Sequence, residues 1–172
     1  VSRGTHEGAL ILDACGYDIV LIETVGVGQS EVDIVKIADT VCLVLTPGMG
    51  DDVQIMKAGI MEIADIFVVN KADREGAEKV ASDVGLMLKM LIGREWVPPV
   101  ALVSSFRNTG VDTVKDAALK HSEYLANSEE GRRRRHSQLE MEVESILRHE
   151  ISGVVGRAWN ERKSDSLLDE MA

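Results

Sequence analysis

Four short apolar runs, at residues 19–23, 41–46, 66–70 and 100–104, organise the first two thirds of the chain. They are rich in Val, Ile and Leu and show little polar alternation, as parallel strands covered on both faces do. The segments between them have helical spacing. Residues 6–16 form one such segment, with Gly16 placed to close it. Ser30 is a natural N-cap, with Asp33 three residues on, for a helix through residue 38. Residues 51–64 put Val53, Met56, Ile60 and Ile63 on one face, and residues 76–92 give a further helix before Pro98 and Pro99 stop the chain. Strand and helix in alternation predict an open, mostly parallel α/β sheet. Ligands bind such sheets outside the carboxyl ends of the strands, where Glu23, Pro47, Asn70 and Ser104 fall.

From residue 111 onward the pattern becomes continuous helix. Val111, Val114, Ala118 and Leu125 share a face, and Leu139, Val143, Ile146, Leu147, Ile151 and Val155 form a second stripe. The polar end, 160–172, is expected to fray. The resulting division is 1–126 as an α/β domain and 127–172 as a helical extension.

Composition narrows the function classes. A formal net charge of −10 argues against general nucleic-acid binding, which needs a basic surface. Aromatic residues make up 3%, so the core must be aliphatic. No apolar run approaches the roughly 18 residues of a membrane span, and the chain starts with no signal-peptide pattern. Cys15 and Cys42 both sit in apolar runs and read as buried thiols in a reducing compartment. His6, His121, His136 and His149 have no metal-ligand spacing with them, and the Arg132–Arg135 run reads as a solvated helix start paired with nearby glutamates. Trp96 and Trp159 read as packing residues.

The most specific motif is "VNKAD" at residues 69–73, an Asn-Lys-x-Asp pattern at a strand end. The Asp73 carboxylate can accept from the N1 and exocyclic amino donors of guanine, a pair that adenine lacks, and a site built on such bonds discriminates strongly. Asn70 can tie neighbouring loops together, while the Lys71 stem can lie along the base with its ammonium solvated. Thirty-one residues after Asp73, "SSFRNTG" ends another strand. Ser104 and Ser105 resemble the last GTPase motif, usually Ser-Ala, whose backbone N–H groups read the guanine O6; Phe106 follows as a further nucleotide-site candidate. Upstream, Glu23-Thr24-Val25-Gly26 stands where GTPases carry Asp-x-x-Gly. There the acid holds Mg²⁺ through its water shell, and the glycine lets a backbone N–H approach the γ-phosphate.

Taken together, "ETVGVGQSE", "PGMGDDVQIMKAGIMEIAD" and "VNKAD" resemble the MeaB/ArgK family of methylmalonyl-CoA mutase-associated GTPases, over about residues 4–125. The resemblance implies a P-loop NTPase-type G domain of the class shared with signal-recognition-particle GTPases. It also implies GTP/GDP and Mg²⁺ as ligands, an adenosylcobalamin-dependent acyl-CoA mutase as partner, and a chaperone role in cobalamin loading. A homodimer through the C-terminal extension follows too, in the cytoplasm or in the mitochondrial matrix of a eukaryote. By position, Glu23 becomes the Mg²⁺-side catalytic acid and Gly26 the γ-phosphate contact. Gln29 becomes the candidate water-positioning group, since Val27 stands where other GTPases place a glutamine. Asp51, Asp52 and Lys57 fall on a loop that the family uses as a switch toward its mutase, although a solvated helix start is the bland reading of all three.

One departure is sharp. The 172 residues contain no GxxxxGK[ST] loop and no Gly-Lys pair, and that loop supplies most phosphate affinity. The expectation is a G domain shortened at its N-terminus, lacking its first strand and P-loop and inactive by itself. The alternative is a non-catalytic guanine-binding or interaction module completed by another chain. A transport-linked kinase finds no phosphoacceptor site to support it.

Overall fold

The computed structural model describes residues 3–24, 32–48, 60–90 and 93–163. Two units divide the chain, Val1–Arg132 and Arg133–Ala172. In the first, β1 (Cys42–Leu45), β2 (Ile66–Val69) and β3 (Val100–Leu102) form a parallel sheet in the order β1-β2-β3. Helix α1 covers Arg3–Ala14, a 3₁₀ turn Val32–Lys36, the short α2 Ile60–Ile63, and α3 Ala77–Leu88; α4 spans Val111–Asn127.

Strand alternation sends side chains to two separate cores. Phe67, paired with Val100, joins Leu45, Ala64, Val84 and Leu88 on the side covered by α3. Ile66 and Val68 join Ala101, Val103 and Ala117 on the side covered by α4. All four β2 residues are buried, as a central parallel strand requires. Full burial of Phe67 alone is worth about 1.5–3 kcal/mol. The expected open α/β architecture is therefore present, with helices on both faces.

Three local expectations need correction. Residues 18–24 form no strand, and Ile19 and Leu21 are 63% and 91% exposed. A parallel strand exists through ladder bonds to a neighbour, and none of β1–β3 pairs with this run. The segment after Ser30 is a 3₁₀ turn rather than an α-helix where it is described. Val35 and Ile37 are β-branched and resist α-helical χ1 crowding, while Ile34 turns into the core; Ser30 itself lies outside the described residues. Both cysteines are exposed rather than buried. Cys15 sits in the turn after α1, which Gly16 closes at φ 85 with its N–H on Asp13 O at 2.8 Å. Cys42 lies on β1, which among the described strands is paired with β2 alone; partial burial first, then the Asp65 carboxylate, pushes its thiol up.

The amino-terminal edge of the sheet is closed by a polar and aromatic cluster. His121 of α4 is fully buried, with Nδ1 2.8 Å from Thr40 Oγ1 and Nε2 3.4 Å from the Asp65 carboxylate. Asp65 also accepts the Val41 N–H, and the Trp96 indole donates to its main-chain oxygen, both at 2.9 Å. Trp96 packs on His121 and Tyr124 at centroid distances of 4.7 and 5.4 Å, so its expected packing role holds.

Helix α5 (Glu129–Lys163) begins in the first unit. Ser128, the single residue between α4 and α5, caps it, its Oγ accepting the Gly131 N–H at 3.1 Å. In the second unit, α5 carries exposed ion pairs such as Arg148–Glu144 at 2.6 Å. Its apolar stripe is at least half exposed throughout, from Leu139 to Val155, and Trp159 is exposed too, contrary to the packing expected of it. Among the described residues no helix is long and apolar enough to cross a membrane.

Candidate functional site

The carboxyl ends of the three strands converge through their exit loops. As β2 ends, the Asn70 N–H donates to Leu45 O of β1 at 2.8 Å. Two residues later the Ala72 N–H donates to Val103 O, beyond β3, at 2.9 Å. The loop is thus sewn to both neighbours before it reaches Asp73. Lys71 takes a left-handed conformation at φ 58, and the Arg74 N–H closes the turn on Lys71 O at 2.9 Å. An L-residue with a side chain pays for this conformation, and the Asn70 Oδ1 that accepts the Lys71 N–H at 2.8 Å helps to hold it.

The second loop is a small closed ring. Ser104 N–H donates to Thr109 O at 3.0 Å, and Thr109 N–H returns to Ser104 O at 3.1 Å. Asn108 at φ 51 and Gly110 at φ 77 make the sharp return possible. Gly110 is obligatory for a second reason: a Cβ there would stand 2.2 Å from the Leu102 carbonyl oxygen.

The two loops join through side chains. Buried Ser104 donates its hydroxyl to Asp73 Oδ1 at 2.5 Å and accepts the Arg107 N–H at 3.3 Å. Asn70 Oδ1 accepts both the Ser105 N–H at 3.2 Å and the Ser105 hydroxyl at 3.1 Å. The Ser104 bond, foremost, holds the Asp73 carboxyl below its ordinary range; its own backbone N–H and the charges of Arg107 and Arg74 add to this. Asp73 is therefore a standing anion with acceptor oxygens, exposed alongside Lys71 and a Phe106 that is 92% exposed. Chemically, the arrangement offers an exposed acceptor pair for a donor-bearing base edge and apolar surface for a planar ring.

Asn70, Asp73, Ser104 and Ser105 are thus brought together from two motifs 31 residues apart in sequence. The Ser104 and Ser105 N–H groups, expected to read a base oxygen, both donate within the protein here. Sequence reasoning does not reach Arg74 and Arg107, whose charges act on Asp73; the turn residues of "RNTG" are the signal that folds Arg107 back toward it. Glu23 is exposed and takes no part in these bonds. Among the described residues no cluster of three or more His, Cys, Asp or Glu could hold a metal ion. Gly26, Gln29, Asp51, Asp52 and Lys57 lie outside the described residues.

Comparison with known proteins identifies the family. A protein from Pyrococcus abyssi, provisionally named a GTPase, is 44% identical over 159 residues, covering 90% of this chain and 49% of its own. A Mycobacterium tuberculosis protein named a probable GTPase is 36% identical over 165 residues, covering 93% of this chain and 48% of its own. The methylmalonic aciduria type A homolog of Caenorhabditis elegans, named as mitochondrial, is 35% identical over 159 residues, 90% of this chain and 40% of its own. The chain spans about half the length of the curated relatives it matches. The family model described as methylmalonyl Co-A mutase-associated GTPase MeaB matches residues 1–160. By that match, and by relatives well above 30% identity along nine tenths of its length, the chain belongs to the MeaB family of mutase-associated GTPases.

Proposed function

We propose that this chain carries the guanine-reading part of a GTPase that serves an adenosylcobalamin-dependent acyl-CoA mutase. The observation that carries the reading is the Asp73 carboxylate fixed by the Ser104 hydroxyl at 2.5 Å beside an Asn70 fixed by Ser105. In this reading Asp73 accepts the N1 and exocyclic amino protons of guanine. Lys71 and Phe106 flank the base, and Asn70 joins the base loop to its neighbours. Discrimination against adenine comes from leaving Asp73 facing an edge that lacks the donor pair.

The remaining assignments rest on the family. Glu23 and Gly26 would sense Mg²⁺ and the γ-phosphate, Gln29 would position water, and Asp51, Asp52 and Lys57 would contact the mutase. Nucleotide state would then gate cobalamin loading and protect the partner enzyme, in the cytoplasm or, in a eukaryote, in the mitochondrial matrix. The exposed apolar stripe of α5 supports a homodimer, because a monomer gains nothing by leaving such a stripe in water. A second reading is a guanine-binding module without hydrolysis of its own, completed by another chain.

Nucleotide titration of the protein at its native length tests the proposal. GTP should bind far more tightly than ATP, and Asp73→Ala should erase most of that preference. Equal affinity for GTP and ATP in the unaltered protein would sink the reading of Asp73. Steady turnover of GTP separates the first reading from the second.

A further inference from the structure

We infer that the Ser105 hydroxyl is a positioning group for Asn70, locking its carboxamide so that the amide nitrogen is presented to the ring nitrogen acceptor, N7, of the bound purine. The inference rests on the guanine reading above and adds a residue that the motif does not require, since the pattern there is usually Ser-Ala and an alanine has no hydroxyl to offer.

Three donors converge on one oxygen. Asn70 Oδ1 accepts the Lys71 N–H at 2.8 Å, the Ser105 hydroxyl at 3.1 Å and the Ser105 N–H at 3.2 Å. A carboxamide oxygen has two lone pairs and its nitrogen has two protons. Turning the amide over would point those protons at two N–H groups that can only donate, leaving donor against donor. The orientation is therefore set by the surroundings rather than by chance. The side of Asn70 that is not engaged with these donors is a hydrogen-bond donor, and purines offer N7 as an acceptor on the edge opposite the one Asp73 reads. The two backbone bonds come with the loop; the hydroxyl supplies the third, at a shorter distance than the Ser105 N–H. Ser105 is exposed, so removing its hydroxyl opens no core cavity.

The test uses Ser105→Ala and Ser105→Thr in the protein at its native length, with GTP, ATP and 7-deaza-GTP as probes. The last is GTP with N7 replaced by C–H. Loss of one solvent-exposed hydrogen bond predicts that Ser105→Ala binds GTP about two- to fivefold more weakly. Its affinity for 7-deaza-GTP should be unchanged, because the acceptor is already missing from that ligand. The GTP-to-ATP preference should stay as in the unaltered protein, since both purines carry N7 and the preference belongs to Asp73. Ser105→Thr, which keeps a hydroxyl, should restore GTP affinity, and the melting temperatures of all three proteins should coincide. Equal weakening toward GTP and 7-deaza-GTP would overturn the inference by making the hydroxyl a general support of the loop. Unchanged GTP binding in Ser105→Ala would overturn it as well. An unaltered protein with no preference for GTP over ATP would overturn the guanine reading and this inference together, and is told apart from the other two outcomes by needing no variant.

Discussion

Gly110→Ala is the substitution whose consequence follows most directly from the geometry. Gly110 sits at φ 77, and an added Cβ would stand 2.2 Å from Leu102 O and 3.2 Å from Val103 Cα. Cβ atoms do not approach backbone oxygens that closely, so either the end of β3 or the start of α4 must shift. The left-handed conformation costs an L-residue roughly 1–2 kcal/mol, and relieving an overpacked contact against backbone typically costs about 1–3 kcal/mol more. A loss of about 2–5 kcal/mol is expected, enough to lower the melting temperature by roughly 4–20 °C for a chain of this size. The displaced backbone carries Val103 and Ser104, so the hold of Ser104 on Asp73 should loosen and guanine preference should fall with stability. Gly85→Ala is the matched control. Gly85 lies inside α3, with nothing within 4 Å of an added Cβ, so alanine there should stabilise by about 0.5–1 kcal/mol. The assay is urea and thermal unfolding of both variants followed by circular dichroism, with GTP and ATP titrations alongside. Opposite signs are required. A Gly110→Ala protein that melts with the unaltered one would refute the reasoning about both the close approach and the loop.

The remaining predictions concern charge, stacking and assembly. Asp73 is depressed below its ordinary 3.8, so its charged form contributes above that value and is lost only as pH falls through its lower folded value. Ser104→Ala removes the largest cause of the depression, and the acid limb of guanine binding should move up in pH toward 3.8, as read from GDP titrations across the acid range. Phe106 is 92% exposed, so Phe106→Ala should leave the melting temperature unchanged. If the ring stacks on the base, its removal costs about 1–3 kcal/mol of nucleotide affinity, measurable by calorimetry. Leu147→Glu with Ile151→Glu places charges in the exposed stripe of α5. The pair should convert a dimer to monomer in sedimentation without altering the melting of the α/β unit; a dimer that survives both would remove the stripe from the proposed interface.

What the sequence disclosed and what it withheld divide along one physical line. The strands 42–45, 66–69 and 100–102 were legible because each is an unbroken apolar run, and the central one, 66–69, is buried at every position. Asn70, Asp73 and Ser104 were legible because the Asn-Lys-x-Asp and Ser-Ser patterns fall at strand ends, where the fold fixes position. The run at 19–23 carries the same apolar signal and yet forms no strand, because pairing is a property of two segments and composition reports on one. The cysteines failed for a related reason: an apolar neighbourhood in sequence promises burial only if the strand has cover, and on β1 both Cys42 and Val44 face the side where cover is thin. The bonds that make the site specific, Ser104 to Asp73 and Ser105 to Asn70, span 31 and 35 residues. No local pattern encodes such distances. They follow from the parallel register that sets the end of β2 beside the end of β3, so the chemistry of this site is read from its motifs but its geometry is inherited from the sheet.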